Sequence, residues 1–230
     1  MNNDISIIMD ETSEQNEPNE TNEIEKKNVI QVYDQIANDF SETRFCVWNM
    51  VKRFLKNKNL TQIGLEIGCG NGKNMIYALK NNKFVIGIDN CNKLLDICKN
   101  KELKVFKADC CYLQFLSNSM DYIFSIAVFH HLATKERREL AFIEAVRVLK
   151  PGKEGLISLW SVENQKKRNF KAGDNYVKWE RRIDKKKFER YYYIYNRKMV
   201  YEYIKCVEGL IQVLDIYNEM GNWVMWFKKI

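Results

Sequence analysis

The sequence lacks the features that would indicate a membrane-spanning or secreted protein. Its longest apolar run, residues 122–129, is far shorter than the roughly 18 residues that a membrane-spanning helix needs. No Lys or Arg precedes Lys26, so a signal or transit peptide would have no basic region. The chain has only two histidines, and its seven cysteines form no CxxC pair. We therefore expect no metal site, and we expect reduced thiols in the cytoplasm or the nucleus.

Positive charge, in contrast, is abundant outside the N-terminus. A length of 230 residues suits one α/β domain, and 46% hydrophobic residues exclude a wholly disordered or collagen-like chain. The net charge is +7, but residues 1–25 carry −8, so the remainder carries +15. Such a basic surface attracts polyanions, with nucleic acid as the first candidate and an anionic membrane as the second. The alternative is charge that serves solubility alone.

The chain divides into an acidic tail and one folded domain. Residues 1–27 are rich in Asn, Glu and Ser and are predicted to be a disordered tail, whereas residues 28–230 form the domain. Helices are predicted at 29–41, 48–55, 73–80, 93–100 and 135–149, and strands at 62–67, 84–88, 103–106, 122–128 and 155–160. This alternation predicts a parallel sheet with helices on both faces. Two final strands, 210–217 and 222–228, are joined by a turn too short for a parallel crossover, so they are antiparallel.

The strongest motif joins the first predicted strand to the helix after it. Residues 66–72 are Glu-Ile-Gly-Cys-Gly-Asn-Gly, and the alternate glycines allow a tight turn and close approach of a ligand to the backbone. Asp89 ends the second strand, where a carboxylate can accept both hydroxyls of a ribose. Asp109 follows the third strand, where it can receive the amino group of an adenine. The alternative is a set of ordinary acidic turns.

The spacing of the glycines distinguishes two classes of cofactor. Nicotinamide enzymes use GxGxxG, whereas this chain has GxGxG preceded by Glu66, which would repel a pyrophosphate and suits a cationic methionine group. From about residue 63 to 159 the chain resembles class I S-adenosylmethionine-dependent methyltransferases. The resemblance implies a Rossmann-like α/β fold, with a mostly parallel seven-stranded sheet that ends in an antiparallel hairpin. It also implies S-adenosylmethionine as the cofactor, bound by Glu66, Gly68, Gly70, Gly72, Asp89, Asn90, Ala108, Asp109 and Ala127.

A narrower resemblance covers residues 28–230. The segments that carry it are 32–37, 40–45, 125–134, 136–138, 159–165, 190–192 and 222–223. They are similar to the eukaryotic tRNA wobble-uridine carboxymethyl methyltransferases, which convert 5-carboxymethyluridine to its methyl ester. The resemblance implies tRNA as the substrate and a small zinc-binding activator subunit as a partner, with no membrane partner. The chain departs from the family at Lys178, where proline is usual, at Tyr193, where histidine is usual, and in a short segment at 165–179.

The implied reaction requires no general base. A carboxylate is already ionised at neutral pH, so attack on a sulfonium methyl requires alignment, dehydration and exclusion of water. Arg44 is predicted to hold the substrate carboxylate or the methionine carboxylate of the cofactor, and a plain surface role is the alternative. His130 and His131 are predicted to end the strand beside the first one and to face the transferred methyl. Because adjacent side chains diverge, we expect only one of them to point into the cleft, and the other to cap the loop.

A basic, aromatic insertion at about 163–197 is predicted to contact RNA. Residues 166–187 carry ten basic and three acidic residues among aromatic side chains, which fits a patch that follows phosphates and stacks bases. The alternative is a solvated mobile loop. The tyrosines after Arg190 can stack on an extruded base or pack on the sheet. The residues predicted to bind substrate or RNA are Trp160, Lys178, Arg181, Arg182, Arg190, Tyr191 and Tyr192.

The third strand, 103–106, is predicted to lie at an edge of the sheet. An exposed edge invites a partner strand, and four apolar residues at 112, 113, 115 and 116 are expected to add surface, so we expect the activator to dock there. Burial under a local loop is the alternative, and Cys110 and Cys111 are expected to pack rather than to bind metal.

Two other functions compete with tRNA methylation. One is methylation of a small carboxylic acid or lipid precursor, which needs no basic insertion. The other is a non-catalytic scaffold in an RNA-modifying complex, although nothing in the predicted cofactor site has been lost.

Overall fold

A computed structural model describes residues 22–163 and 169–230 as nine strands and seven α-helices. The strands are β1 (Ile63–Ile67), β2 (Phe84–Asp89), β3 (Val105–Lys107), β4 (Met120–Ile126), β5 (Leu149–Trp160), β6 (Gly173–Glu180), β7 (Lys187–Ile194), β8 (Ile211–Glu219) and β9 (Asn222–Lys229). The helices are α1 (Glu23–Glu25), α2 (Gln31–Thr43), α3 (Asn49–Leu55), α4 (Lys73–Lys80), α5 (Asn92–Lys99), α6 (Lys135–Val148) and α7 (Arg197–Ile204). None of the helices in these two ranges is long and apolar enough to cross a membrane.

Seven of the strands form one sheet in the order β3-β2-β1-β4-β5-β9-β8. The first five strands in this order are parallel. Helices α4, α5 and α6 lie in three of the four connections between them, and residues 108–119 connect β3 to β4 without an α-helix. Strand β9 pairs antiparallel with both β5 and β8, and β8 and β9 are joined at Met220 and Gly221, which both have positive φ. The predicted Rossmann-like α/β fold, with a C-terminal antiparallel hairpin, is therefore confirmed.

Alternate residues of the central strands build a core on each face of the sheet. Ile123 packs with residues of α6, whereas its neighbours Tyr122 and Phe124 pack with α3 and α4 on the opposite face. Successive side chains of the strand therefore point to opposite faces of the sheet, and both faces are covered by helices. Gly64 faces Tyr122, and a Cβ atom there would lie 2.2 Å from the tyrosine ring. The predicted arrangement of helices on both faces follows from this alternation.

Strands β6 and β7 form a separate antiparallel hairpin, which the sequence analysis did not predict. For residues 173–194 the alternative of a mobile loop is wrong, because the two strands pair along their full length. The hairpin packs on α2, where Trp179 Nε1 donates to Asp39 Oδ2 at 3.0 Å. Three of the predicted basic residues, at 166–168, lie outside the described residues.

The predicted end of the acidic tail is also wrong. Helix α1 and a π-helical turn (Lys26–Ile30) run directly into α2, so residues 23–27 belong to the fold. The reason is Glu25, which is buried and accepts two hydrogen bonds from Arg137 Nε at 3.0 Å. The predicted tail at residues 1–21 lies outside the described part of the chain.

Candidate active site

A cavity of about 220 Å³ opens at the carboxyl edge of the parallel strands. Its floor is the turn between β1 and α4, where the backbone N–H groups of Gly68 and Cys69 both donate to Ile88 O at 2.8 Å. Residues of the N-terminal segment, including Val29 and Tyr33, cover one side of the cavity. Open α/β sheets bind their ligands at this edge. The cavity is therefore the candidate active site.

The three predicted glycines of the turn have different roles. All three have positive φ, but a Cβ atom on Gly68 would lie 2.3 Å from Val128, and one on Gly72 would lie 2.3 Å from Leu103. Packing requires a glycine at position 72, and Gly72 does not line the cavity, so its role in binding a cofactor stays a prediction. Gly70 differs, because within the described ranges the nearest atom to its Cβ position is Phe40 Cε1 at 4.0 Å. A ligand can therefore approach the backbone at Gly70.

Two carboxyl groups lie beside this turn, one buried and one half-buried. Glu66 is 1% exposed; its Oε1 accepts a hydrogen bond from Asn74 at 2.7 Å, and its Oε2 has no partner among the described residues. Burial raises the pKa of Glu66 to about 8. Asp89 accepts backbone N–H bonds from Gly70 at 2.8 Å and Cys91 at 2.9 Å, and burial raises its pKa too. Both carboxyl groups lie where the sequence predicts them.

Asp109 lies at the predicted place but is not free. Its Oδ2 accepts a hydrogen bond from Arg137 Nη2 at 2.7 Å, and its Oδ1 accepts one from Cys111 N at 2.9 Å. Arg137 also holds Glu25, so one buried guanidinium joins the N-terminal segment to the end of β3. No local sequence pattern predicts the pairing of Arg137 with Glu25, because the two residues are separated by 112 positions in the chain. Three smaller predicted residues, Asn90, Ala108 and Ala127, also line the cavity.

Two arginines line the cavity without a carboxylate partner among the described residues. The guanidinium carbon of Arg44 lies 5.6 Å from the ring centroids of Phe40 and Trp179. That of Arg190 lies 4.8 Å from Trp179 and 5.3 Å from Tyr192. Two like charges therefore approach the same indole ring, which is unfavourable unless an anion joins them.

The two histidines both line the cavity, so the prediction that only one does is wrong. They lie in a 3₁₀ turn (Phe129–His131) after β4 rather than on the strand, and their ring centroids are 4.6 Å apart. His130 Nδ1 accepts the backbone N–H of Trp160 at 3.1 Å, while His131 Nδ1 lies 2.8 Å from Tyr191 O, which can only accept. In neutral rings, the proton is therefore on Nε2 of His130 and on Nδ1 of His131.

Burial keeps both imidazoles neutral. It lowers the pKa of His131 to about 3, and it lowers the pKa of His130 well below its ordinary value. Nε2 of His131 must then accept a hydrogen bond from Tyr33 Oη, which lies 3.2 Å away. Tyr33 Oη in turn accepts from Tyr192 Oη at 3.3 Å and from Arg190 Nη1 at 3.4 Å. Tyr33, in α2, is therefore the hub of the network, and it is a residue that the site prediction missed.

The two predicted tyrosines, Tyr191 and Tyr192, lie in different surroundings. Tyr192 lines the cavity and stacks on His130, with ring centroids 5.0 Å apart and planes inclined by 20°, and Trp160 packs against Tyr192 at 4.3 Å. Tyr191 points elsewhere: it is buried, and its hydroxyl donates to Asp174 Oδ1 at 2.6 Å. The predicted base-stacking role of Tyr191 is therefore wrong, because neighbouring strand residues face opposite sides.

The other predicted RNA-binding residues lie on the outside of the β6–β7 hairpin. Lys178 and Arg182 are exposed, whereas Arg181 pairs with Asp184 and donates to Gln35 O at 2.9 Å. Arg181 therefore fixes the hairpin turn to α2.

The predicted edge strand is confirmed as β3, at one end of the sheet. Of the apolar residues expected to enlarge that edge, Leu113 and Phe115 are buried in the core and Leu116 is exposed. The expected apolar surface is therefore smaller than predicted.

Comparisons with known proteins agree with this geometry. Residues 65–157 match the model of a methyltransferase domain. The chain is 32% identical over 226 residues to the tRNA (carboxymethyluridine(34)-5-O)-methyltransferase of Schizosaccharomyces pombe, covering 87% of this chain and 96% of that protein. It is 42% identical over 161 residues to the Arabidopsis thaliana protein of the same name, covering 70% of this chain. The chain spans 39% of the length of that plant relative and 25% of that of a Macaca fascicularis relative, tRNA (carboxymethyluridine(34)-5-O)-methyltransferase ALKBH8.

Solved structures share the fold at low sequence identity. A methyltransferase in a complex with the Haloferax volcanii Trm112 methyltransferase activator has a TM-score of 0.65 at 14% identity, covering 87% of this chain and 97% of that one. A SAM-dependent methyltransferase from Methanosarcina mazei has a TM-score of 0.64 at 16% identity, covering 80% and 98%.

Proposed function

Since this chain belongs to the family of tRNA (carboxymethyluridine(34)-5-O)-methyltransferases, we propose that it transfers a methyl group from S-adenosylmethionine to tRNA. The acceptor is the carboxylate of 5-carboxymethyluridine at position 34, and the product is its methyl ester. One observation carries the proposal. A single cavity joins a glycine turn that is open to a ligand to a compartment with two guanidinium groups that lack carboxylate partners in the described chain.

The residues at the turn fit the proposed cofactor. The open space at Gly70 admits a ligand against the backbone, and the unpartnered Oε2 of Glu66 can accept a hydrogen bond from an ammonium group. Asp89 would hold the ribose, and Asn90 and Ala108 would lie beside the adenosine. Asp109 has its proposed adenine-binding oxygens already engaged, so it would act with only its remaining lone pairs.

S-adenosylmethionine supplies a methyl group on a positively charged sulfur, which is an electrophile that needs no activation by the protein. The chain's own residues therefore have to bind and orient an ionised carboxylate and exclude water. The rings of Phe40, Trp160 and Tyr192 enclose the cavity on the side of the arginines. Because His130 and His131 are neutral at physiological pH, they serve as fixed hydrogen-bonding groups rather than as general bases.

The hairpin offers a surface for the RNA. Lys178 and Arg182 are exposed on it, and Lys185, Lys186 and Lys187 at its turn add further positive charge. The same hairpin contributes Arg190 and Tyr192 to the cavity, so RNA held on its outer face would have a path to the site. Phosphate contacts of this kind position an RNA, while the cavity recognises one nucleoside.

A small zinc-binding activator subunit is the proposed protein partner, docked on the exposed edge at β3. In support, β3 ends the sheet, and the methyltransferase of similar fold named above was solved in a complex with the Trm112 activator. We place the reaction in the cytoplasm, with the nucleus as a second site, because all seven cysteines are unpaired in the described chain.

Nucleoside mass spectrometry tests the function. The chain is co-expressed with a candidate activator and incubated with labelled S-adenosylmethionine and tRNA that carries 5-carboxymethyluridine. We expect the labelled methyl ester at position 34. Methylation of free carboxylic acids but not of tRNA would replace the proposal by a small-molecule methyltransferase. Binding of S-adenosylmethionine without turnover on any RNA would indicate a non-catalytic scaffold.

A further inference from the structure

Three buried hydrogen-bond donors of residues that line the cavity have no acceptor among the described residues. Arg137 Nη1 belongs to a guanidinium that is already paired with Glu25 and Asp109, whereas the other two donors belong to groups without a carboxylate partner in the described chain. One of these two donors is Nε of Arg190, a residue that is only 4% exposed. The other is Nε2 of His130, a residue that is 0% exposed. Buried polar groups are satisfied in the great majority of cases, so a pair left open in one cavity indicates a missing ligand.

The hydrogen-bonding properties of Arg190 and His130 determine which groups the ligand must carry. His130 Nδ1 accepts the N–H of Trp160, so its Nε2 carries the proton and can only donate. The guanidinium of Arg190 can also only donate. A ligand that satisfies both groups must therefore present acceptors, and one that donates hydrogen bonds would leave them unpaired.

The charge around these two donors indicates that the missing ligand is an anion. Arg190 makes one hydrogen bond, at 3.4 Å to the neutral hydroxyl of Tyr33, and stacks on aromatic rings, with no carboxylate partner within the described ranges. A buried guanidinium without a counter-ion is costly. The adjacent histidines add no charge, so an anionic ligand would meet Arg190 and two uncharged rings.

The second arginine differs from Arg190 in the contacts of its backbone. The backbone carbonyl of Arg44 accepts a hydrogen bond from Asn71 Nδ2 at 3.0 Å, and Asn71 belongs to the glycine turn. Arg190 lies instead on β7, bonded to Tyr33 and close to the histidines. Both guanidinium groups lie near the ring of Trp179, but only the backbone of Arg44 is joined to the glycine turn, so Arg44 is the arginine that can reach the cofactor end of the cavity.

We propose that Arg190 and His130 form the subsite that binds the substrate carboxylate, with Arg190 Nε–H and His130 Nε2–H as its donors, and that Arg44 is left for the methionine carboxylate. This assignment rests on the proposed function. It makes the enzyme selective for the acid over its neutral amide, because an amide replaces one acceptor oxygen with a donor group. The donors also replace the water that would otherwise solvate the carboxylate.

A binding comparison tests the subsite separately from turnover. Two anticodon stem-loops are used, one with 5-carboxymethyluridine and one with the neutral 5-carbamoylmethyluridine, in the presence of S-adenosylhomocysteine and the activator. The wild-type chain should prefer the acid by roughly 10- to 100-fold, the range expected for hydrogen bonds to a charged group. Arg190→Met should abolish this preference. Arg190→Lys, which keeps the charge but loses the planar donors, should retain only part of it.

Further variants assign the roles of the other groups. His130→Leu should reduce the preference and His130→Gln, which keeps an N–H donor, should preserve part of it. Arg44→Met should weaken binding of S-adenosylmethionine and leave the preference intact. Arg182→Met, an equal loss of charge on the exposed hairpin, should weaken both stem-loops alike.

The possible results distinguish a failure of the proposed subsite from a failure of the proposed function. A preference that survives in Arg190→Met and disappears in Arg44→Met would overturn the assignment, and so would a wild-type chain that forms the ester without any preference in binding. If Arg190→Met does not fold, as judged by its loss of S-adenosylmethionine binding, the Arg190→Lys ratio decides, and an unchanged ratio refutes the role. No methyl ester from the wild-type chain would instead refute the proposed function.

Discussion

Glu66 lies beneath the glycine turn with one carboxylate oxygen bonded to Asn74 and the other unpartnered in the described chain. Burial makes its ionised form unfavourable, and the pKa of about 8 means that it is mostly protonated at neutral pH without a ligand. A cation bound beside it would favour the ionised form. Binding of the cofactor and loss of this proton are therefore linked.

Glu66→Gln should remove that link. At pH 7 the wild-type chain should release about one proton more than the variant when S-adenosylmethionine binds, because only the wild type has a carboxyl group to ionise. Calorimetry in buffers of different ionisation enthalpy measures this number. Equal proton release from both proteins would show that the ammonium group does not reach Glu66.

The same residue predicts a pH effect on stability. Between the ordinary pKa of 4.5 and the raised value of about 8, the folded chain binds more protons than the unfolded chain at Glu66. This contribution to the free energy of unfolding therefore falls as the pH rises through that range. Urea unfolding at a series of pH values should show a shallower decline in Glu66→Gln than in the wild type.

Gly70 offers a second prediction at the scale of one residue. Gly70→Ala should cost about 1 kcal/mol of stability for its positive φ and should weaken S-adenosylmethionine binding on the order of 10-fold, because a methyl group would enter the ligand space. Gly152→Ala is the matched control, since Gly152 has φ +74 and no described atom within 4 Å of its Cβ position. It should lose similar stability without any loss of affinity. Equal affinities of the two variants, measured by calorimetry, would contradict a ligand at Gly70.

At the scale of elements, the site is closed by two segments that do not belong to the main sheet. Helix α2 contributes Tyr33 and Phe40, and strand β7 contributes Arg190 and Tyr192. The hairpin is fixed to α2 through Trp179 and Asp39. The sheet therefore provides the cofactor end of the cavity, while α2 and the hairpin together provide the aromatic end.

The attachment of α1 depends on one buried ion pair. Glu25→Ala should lower the free energy of unfolding by about 3 kcal/mol, because Arg137 and the N–H of Ala133 lose their shared acceptor. Glu23→Ala is the control: Glu23 lies 3.7 Å from Lys26 in an exposed pair, and its loss should cost at most about 0.5 kcal/mol. Urea unfolding compares the two variants. Similar small losses would mean that α1 contributes little to the fold.

At the scale of the whole molecule, the sheet ends in two different edges. Strand β3 is three residues long and lies on the cofactor side, whereas β8 is nine residues long and contains an irregular pairing with β9. A bulge and a twisted edge discourage further pairing. We therefore expect the proposed activator to bind at the β3 edge of the sheet and not at the β8 edge.

Hydrogen exchange tests this choice. Addition of the activator should slow exchange of the amides of residues 104–108 on the order of 10-fold, because a partner covers them, and should leave β8 unchanged. The β8 edge serves as the internal control within the same sample. Protection of β8 alone would place the partner on the opposite edge.

Much of the architecture could be predicted from local sequence patterns. Alternating apolar residues and glycine-rich turns specified most strands of the main sheet to within a few residues, and the turn chemistry placed Gly70, Glu66 and Asp89 at one edge. The hairpin was missed, because its strands alternate charged with aromatic residues and pair over a turn of basic residues. The burial of Glu25 was missed because it lies in the acidic N-terminal segment between two exposed residues, and its partner Arg137 is 112 residues away.

The sequence by itself determined the parallel sheet, its antiparallel end and the turn where a cofactor approaches, since each depends on residues that are close together along the chain. Only the tertiary structure decided which groups remain free for a substrate. Asp109 is engaged by Arg137, His131 is bonded to Tyr33 across 98 residues, and Arg190 is buried without an anion among the described residues. Protonation and pairing depend on burial and on distant neighbours, and those exist only in the folded chain.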